Sequence, residues 1–168
     1  VVQGTMKSWE DDGEVVMVVS AHVDDLLAAT ENGRVASSVI EALSVVFDVG
    51  KAERICADGD SFVHCGCRYK RGDGFYSMDQ SEYAVEEVDV PEGLKMEDEY
   101  GDLKAFRQCL GQVNWKARTR PDAAFLVNKA AAGSSAPSGE TVKTLNKVVK
   151  FMEKKECALC FPMCSHPE

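Results

Sequence analysis

The chain contains no apolar run approaching the roughly 20 residues that cross a bilayer, which excludes a membrane-spanning helix. It has no basic segment followed by an apolar one at its start, and so no mark of a secretory signal. It opens VVQGTMKSWEDD without an initiating Met, and is therefore expected to be a piece of something longer. Excess positive charge is missing too: 19 Lys and Arg stand against 28 Asp and Glu, a formal net charge of −9. That sign excludes a protein that coats nucleic acid with its whole surface. Seven cysteines, an odd number without a secretory signal, do not make a disulfide framework. Cys56, Cys65, Cys67 and Cys109 sit in apolar surroundings and read as buried thiols of a reduced, intracellular protein. There is no internal repeat. The glycine-containing stretches 72–74 and 133–139 lack the strand–loop–helix setting and the Lys of a phosphate-binding loop, so they read as turns.

What is present is globular. With 168 residues, 45% hydrophobic and 28% charged, the chain can bury the core of one domain or of two small subdomains. Its charge is unevenly placed. Residues 1–101 hold 8 Lys and Arg against 22 Asp and Glu, whereas residues 102–156 hold 11 against 5. An acidic front and a basic back permit metal binding in one part and phosphate contacts in the other. A solvated acidic surface is the plainer reading of the same numbers.

Strand signals lead. Val1 to Lys7 and the run Glu14-Val15-Val16-Met17-Val18-Val19 flank turn chemistry at Glu10-Asp11-Asp12-Gly13, which predicts a hairpin whose second strand is central. From Gly33 to Phe47, Val35, Val39, Leu43 and Val46 recur at helical spacing and predict an amphipathic helix. Phe62–Tyr69 and Gly74–Met78 read as a hairpin turned at residues 70–73. Residues 80–88 read as a short helix ending before Pro91, and the acidic stretch 89–101 as a linker. Three helices then follow. The first carries the stripe Leu103, Phe106, Leu110, Val113 and Ala117. The second starts at Arg120-Pro121-Asp122 and runs to about Ala132. The third, from Glu140 to Lys154, buries Val142, Leu145, Val148, Val149 and Met152. Cys157 to Phe161 could begin another strand. The fold class expected is α+β.

The sharpest chemical feature is Asp24-Asp25, two adjacent acids between apolar, strand-like runs. Carboxylates crowded at a tight turn repel each other, and a hard divalent cation with oxygen ligands relieves the repulsion. Mg²⁺ takes one or two protein carboxylates and leaves other positions to water and phosphate, as a nucleotidyl-transfer centre requires. Spacing alone also allows a solvated turn. Lys143, Lys147, Lys150 and Lys154 line one face of the last helix, either as phosphate contacts that position a duplex or as a solvated face. The tail Cys157, Cys160, Cys164 and His166 gathers four soft ligands and invites a zinc reading. The spacing C-x₂-C-x₃-C-x-H matches no common zinc knuckle, which opposes it. His64 reads as packed or edge-exposed, with no partner standing out.

Five strings resemble one family in the same order. Ala21-His22-Val23-Asp24-Asp25-Leu26-Leu27 resembles the Tyr-Val-Asp-Asp-Leu-Leu motif of reverse transcriptases from copia-type retrotransposons. Phe62-Val63-His64-Cys65-Gly66-Cys67 is similar to the family's Phe-Leu-Gly-Ile stretch. Gly74 to Tyr83 is similar to its Gly-Ile-x-Leu-x-Gln-x-x-Tyr segment, and Leu110-Gly111-Gln112-Val113-Asn114-Trp115 to its Val-Gly-x-Leu-x-Tyr. Thr119-Arg120-Pro121-Asp122-Ala123-Ala124-Phe125-Leu126-Val127-Asn128 resembles its Thr-Arg-Pro-Asp-Ile-Ala-Phe-Ala-Val-Asn most closely of all.

The resemblance implies an antiparallel palm remnant with a packed helix, followed by a mainly helical thumb and connection. Residues 1–100 would be the second half of the palm and the start of the thumb. Residues 101–156 would be thumb and connection, and residues 157–168 a tail at the start of a ribonuclease H strand in the family's plan. The implied activity is RNA-directed DNA polymerisation, with Asp24 and Asp25 catalytic and holding Mg²⁺ or Mn²⁺. The implied partners are an RNA or DNA template with its primer, a deoxynucleoside triphosphate, and the fingers and ribonuclease H regions of one polyprotein. The implied location is a cytoplasmic virus-like particle or the nucleus. His22 stands where the family has Tyr near the primer end. The family's third carboxylate and its fingers would lie upstream of Val1, so the 168 residues alone are expected not to polymerise. The rival expectation is a degenerate or repurposed fragment that only binds nucleic acid or protein.

Overall fold

A computed structural model describes residues 5–11, 14–154 and 156–163. These residues form a mixed structure of antiparallel strands and four α-helices, as the α+β expectation required. The chain divides into two compact units, Val1–Arg71 and Gly72–Glu168.

In the first unit, β1 (Thr5–Asp11), β2 (Glu14–His22) and β3 (Asp25–Ala29) form an antiparallel sheet in the order β1-β2-β3. The β-branched run of β2 thus takes the central position expected of it. The β1–β2 register shifts between Trp9 and Glu10, where a bulge interrupts the ladder. Thr30 closes the sheet's end, its hydroxyl donating to the Val16 carbonyl at 2.7 Å. Asn32 then caps α1 (Gly33–Ser44), its side chain accepting from the Arg34 N–H at 2.9 Å.

The helix stops earlier than its apolar spacing suggested. Ser44 turns its hydroxyl back to the Ile40 carbonyl, and the N–H groups of Val46 and Phe47 both donate to the Leu43 carbonyl. Val46 therefore leaves the helical face and is 73% exposed, while Val35, Val39 and Leu43 are half-buried.

The predicted single strand from Phe62 to Tyr69 is itself a hairpin. β4 (Ser61–His64) pairs antiparallel with β5 (Cys67–Gly72) across a two-residue turn at Cys65-Gly66. Both turn residues have positive φ, 49° and 70°, as the primed turns that match strand twist require. The turn is silent in the sequence because Cys, unlike Asn or Gly, carries no such signal.

The second unit holds the main core. α2 (Leu103–Lys116), α3 (Ala124–Ala132) and α4 (Gly139–Lys154) bury Phe106, Val113, Val142, Leu145, Val148 and Val149 almost completely. Each such side chain contributes roughly 1.5–3 kcal/mol when removed from water. The expected stripes of α2 and α4 supply most of this cluster. Arg120-Pro121-Asp122 opens a short 3-10 turn, Pro121–Ala123, that leads into α3. β6 (Phe75–Asp79) pairs antiparallel with β7 (Leu159–Pro162), so the tail does form a strand.

Residues 80–88 are not helical. Asp79 accepts from the N–H and hydroxyl of Ser81, and the Tyr83 N–H turns back to the Gln80 carbonyl. Beyond this, Asn146 on α4 takes both backbone groups of Val88. Backbone polar groups satisfied in this way need no helix. Residues 89–101, expected to be a linker, are packed into the second unit. Tyr100 is buried and donates to the Asp89 carbonyl at 2.9 Å. The Gly139 N–H donates to the Asp98 carbonyl, and the Glu140 N–H to that of Met96, at 2.9 Å each. A Cβ on Gly139 would overlap the Lys95 carbonyl oxygen, so the chain approaches here only because the residue is glycine.

Candidate functional site

Asp24 and Asp25 occupy the tip of the β2–β3 hairpin. His22 pairs with Asp25 across the ladder, leaving Val23-Asp24 as a two-residue turn. Val23 has φ 58°, a conformation that a β-branched residue adopts only at a cost. Both acids are exposed, and His22 is half-buried.

Unexpectedly, the hairpin tip meets the β4–β5 turn of the same unit. The carboxylate of Asp25, the imidazole of His64 and the thiol of Cys65 each offer a ligand atom, and the three atoms lie within 4.8 Å of one another. Cys65 Sγ lies 3.4 Å from His64 Nε2, and the His64 ring stands edge-on to Tyr69 with centroids 6.3 Å apart. His64 thus acquires the partners that sequence alone did not supply. Asp24 is not in the group. Asp25 and His64 lie far apart in the chain, and no local pattern announces their meeting.

The four lysines of α4 do not share one environment. Lys143 is half-buried and donates to the Leu94 carbonyl at 2.9 Å. Lys150 pairs with Glu87 at 3.1 Å in an exposed contact, while Lys147 and Lys154 are exposed. A surface pair of this kind contributes about 0–1 kcal/mol.

In the tail, Cys157 is half-buried just before β7, and Cys160 is exposed on it opposite Ser77. Cys164 and His166 lie outside the described residues. Cys56 is exposed, contrary to expectation, because it sits in a loop rather than a core strand. That loop is organised by Asp60, whose carboxylate accepts from the Cys56 and Ala57 N–H groups at 2.9 and 2.7 Å. The Ala57 bond, then that of Cys56, holds the Asp60 carboxyl below its ordinary range. Cys67 and Cys109 are buried as expected.

The remaining motif residues build structure. With its amide oriented to satisfy both groups, Gln80 donates to the Trp115 carbonyl at 3.0 Å and accepts from the indole Nε1 at 2.8 Å. Lys116 is buried and donates to the Tyr83 carbonyl; burial above all lowers its pKa, opposed by the nearby Glu153. Arg120, 3% exposed, grips Asp122 with Nε and Nη2 at 2.9 and 3.0 Å and gives Nη1 to the Met152 carbonyl at 2.8 Å. The Gln80–Trp115 bonds join two of the strings, and Arg120 ties a third to α4. A cavity of about 250 Å³ opens beside Gln80 and Arg120, lined in part by Ser81, Glu82, Glu153 and Cys157. Its cations, Lys116 and Arg120, are both committed to internal partners. Among the described residues no buried side-chain polar atom lacks a partner.

Compared with protein-family models, curated proteins and solved structures, the chain matches none. No helix of the described residues is long and apolar enough to cross a membrane.

Proposed function

We propose that the chain is the C-terminal part of a copia-type reverse transcriptase, covering late palm, thumb and connection. The observation that carries this reading is the position of Asp24-Asp25 at the tip of a β-hairpin, within five resembling strings in family order. On this reading Asp24 and Asp25 hold Mg²⁺, which would stabilise the attacking and leaving oxygens of nucleotidyl transfer. His22 borders the primer end, and the third carboxylate comes from upstream of Val1. Residues 101–156 supply the thumb and connection, with Lys147, Lys150 and Lys154 toward phosphates and Lys143 bracing the fold. β7 is the first strand toward a ribonuclease H region.

The test is reconstitution. The chain is joined to an upstream palm and fingers segment, and primer extension is measured with Mg²⁺. Extension that disappears with Asp24→Asn or Asp25→Asn is the expected result. Extension that persists in both variants would sink the reading, as would extension by the 168 residues alone.

A second reading, a non-catalytic binding module, is favoured by one observation. The Gln80–Trp115 and Arg120–Asp122 pairs serve folding, so they would persist without chemistry. Such a module keeps its duplex affinity with both acids replaced. Replacing Lys147 and Lys150 by Glu would weaken it, and its logarithmic salt slope would fall by about one for each phosphate that is no longer neutralised.

A further inference from the structure

We propose that Asp25, His64 and Cys65 form a Zn²⁺ site, a further binding function that shares Asp25 with the Mg²⁺ site of the reading above. Three ligand types converge here from two hairpins of one unit, with their donor atoms within 4.8 Å of one another. A tetrahedral Zn²⁺ with bonds of about 2.0–2.3 Å sets neighbouring nitrogen and sulfur ligands roughly 3.5 Å apart. The Sγ–Nε2 separation of 3.4 Å already has that spacing. Only the Asp25 carboxylate, exposed at its hairpin tip, must close in.

The chemistry selects the ion. One thiolate and one carboxylate neutralise the two charges of the cation, and a neutral imidazole completes three protein ligands. A fourth position is left to water, as in open zinc sites. Mg²⁺ seeks oxygen donors and gains little from sulfur and imidazole. The backbone is consistent with a placed thiol: Cys65 occupies a left-handed turn position, φ 49°, that Asn or Gly fills more easily. Binding releases the thiol proton, so the affinity falls as the pH is lowered.

Zinc retention is read without primer or nucleotide, and His64 and Cys65 have no part in the polymerase reading, so failure of one proposal is distinguishable from failure of the other. The test uses the full chain with Cys157, Cys160 and Cys164 changed to Ser, so that tail thiols cannot bind metal. After equilibrium dialysis against Zn²⁺ alone, one equivalent should remain. Co²⁺ should give a thiolate charge-transfer band that vanishes in Cys65→Ser. His64→Ala and Asp25→Asn should each weaken retention at least tenfold. Circular dichroism of the metal-free variants checks that they fold. A second measurement needs no substitution: in the unaltered chain, Zn²⁺ should slow alkylation of Cys65 but not of Cys56. No retained zinc, zinc indifferent to Cys65→Ser and His64→Ala, or Cys65 alkylation unchanged by Zn²⁺ would each overturn the proposal.

Discussion

Asn146 on α4 holds Val88 by both of its backbone polar groups. The Val88 N–H donates to Oδ1 at 2.9 Å, and Nδ2 donates to the Val88 carbonyl at 2.7 Å. The side chain acts as one rung of a β-ladder supplied by a helix, and it fixes an extended segment against the core.

Replacing Asn146 by Leu should therefore destabilise the second unit well beyond the loss of two ordinary hydrogen bonds. It leaves a buried N–H and a buried carbonyl unpaired, a cost of about 2–4 kcal/mol. Urea unfolding followed by fluorescence measures it. A shift below about 0.5 kcal/mol, the range of neutral surface changes, would contradict the pairing.

Arg120 makes the complementary case for geometry over charge. Asp122 is its first stabilising partner, through a forked pair that raises the guanidinium pKa despite burial. Lysine retains the charge but cannot reproduce the fork or reach the Met152 carbonyl at the same time. Arg120→Lys should cost about 2–4 kcal/mol, nearly as much as Arg120→Ala, and thermal denaturation of the two variants compares them directly.

Two glycine-to-alanine substitutions should have opposite signs. At Gly139 the added methyl meets the Lys95 carbonyl, and overpacking of this kind costs about 1–3 kcal/mol. At Gly111, within α2, the methyl meets nothing within 4 Å, so helix propensity should add roughly 0.5–1 kcal/mol of stability. Equal effects in chemical denaturation would refute the close approach at Gly139.

Burial, with a smaller contribution from Glu87, pushes the Cys109 thiol up to about 11. The folded protein therefore keeps this proton at pH values where the unfolded chain has begun to lose it. Stability is unaffected by this group below pH 9 and falls as the pH rises from 9 toward 11. The same burial predicts that alkylation at neutral pH, mapped by mass spectrometry, modifies exposed Cys56 well before Cys109.

Helices α2 and α4 are legible in the sequence because their apolar residues repeat locally, and local repetition predicts a buried face. Residues 80–88 read as helix but are not: the Tyr83 carbonyl is answered by Lys116 and both backbone groups of Val88 by Asn146, 58 positions away. The Cys65-Gly66 turn is hidden inside an apolar run, since nothing about Cys announces a positive φ. The acid pair stands out by composition, whereas the meeting of Asp25 with His64 and Cys65 depends on how two hairpins pack. Periodicity carries information within an element, and the contacts that define sites lie mostly between elements.

The division at Arg71 has a further meaning for ancestry. The acid pair and the Phe62–Cys67 string lie in the first unit, and the other three strings in the second. Those three are held in place by Gln80, Trp115 and Arg120, whose bonds the fold itself requires. On the reading proposed above, the residues that carry the resemblance are thus largely separate from the two proposed metal ligands. Exchanging both aspartates would alter one string of the five and leave the other four unchanged.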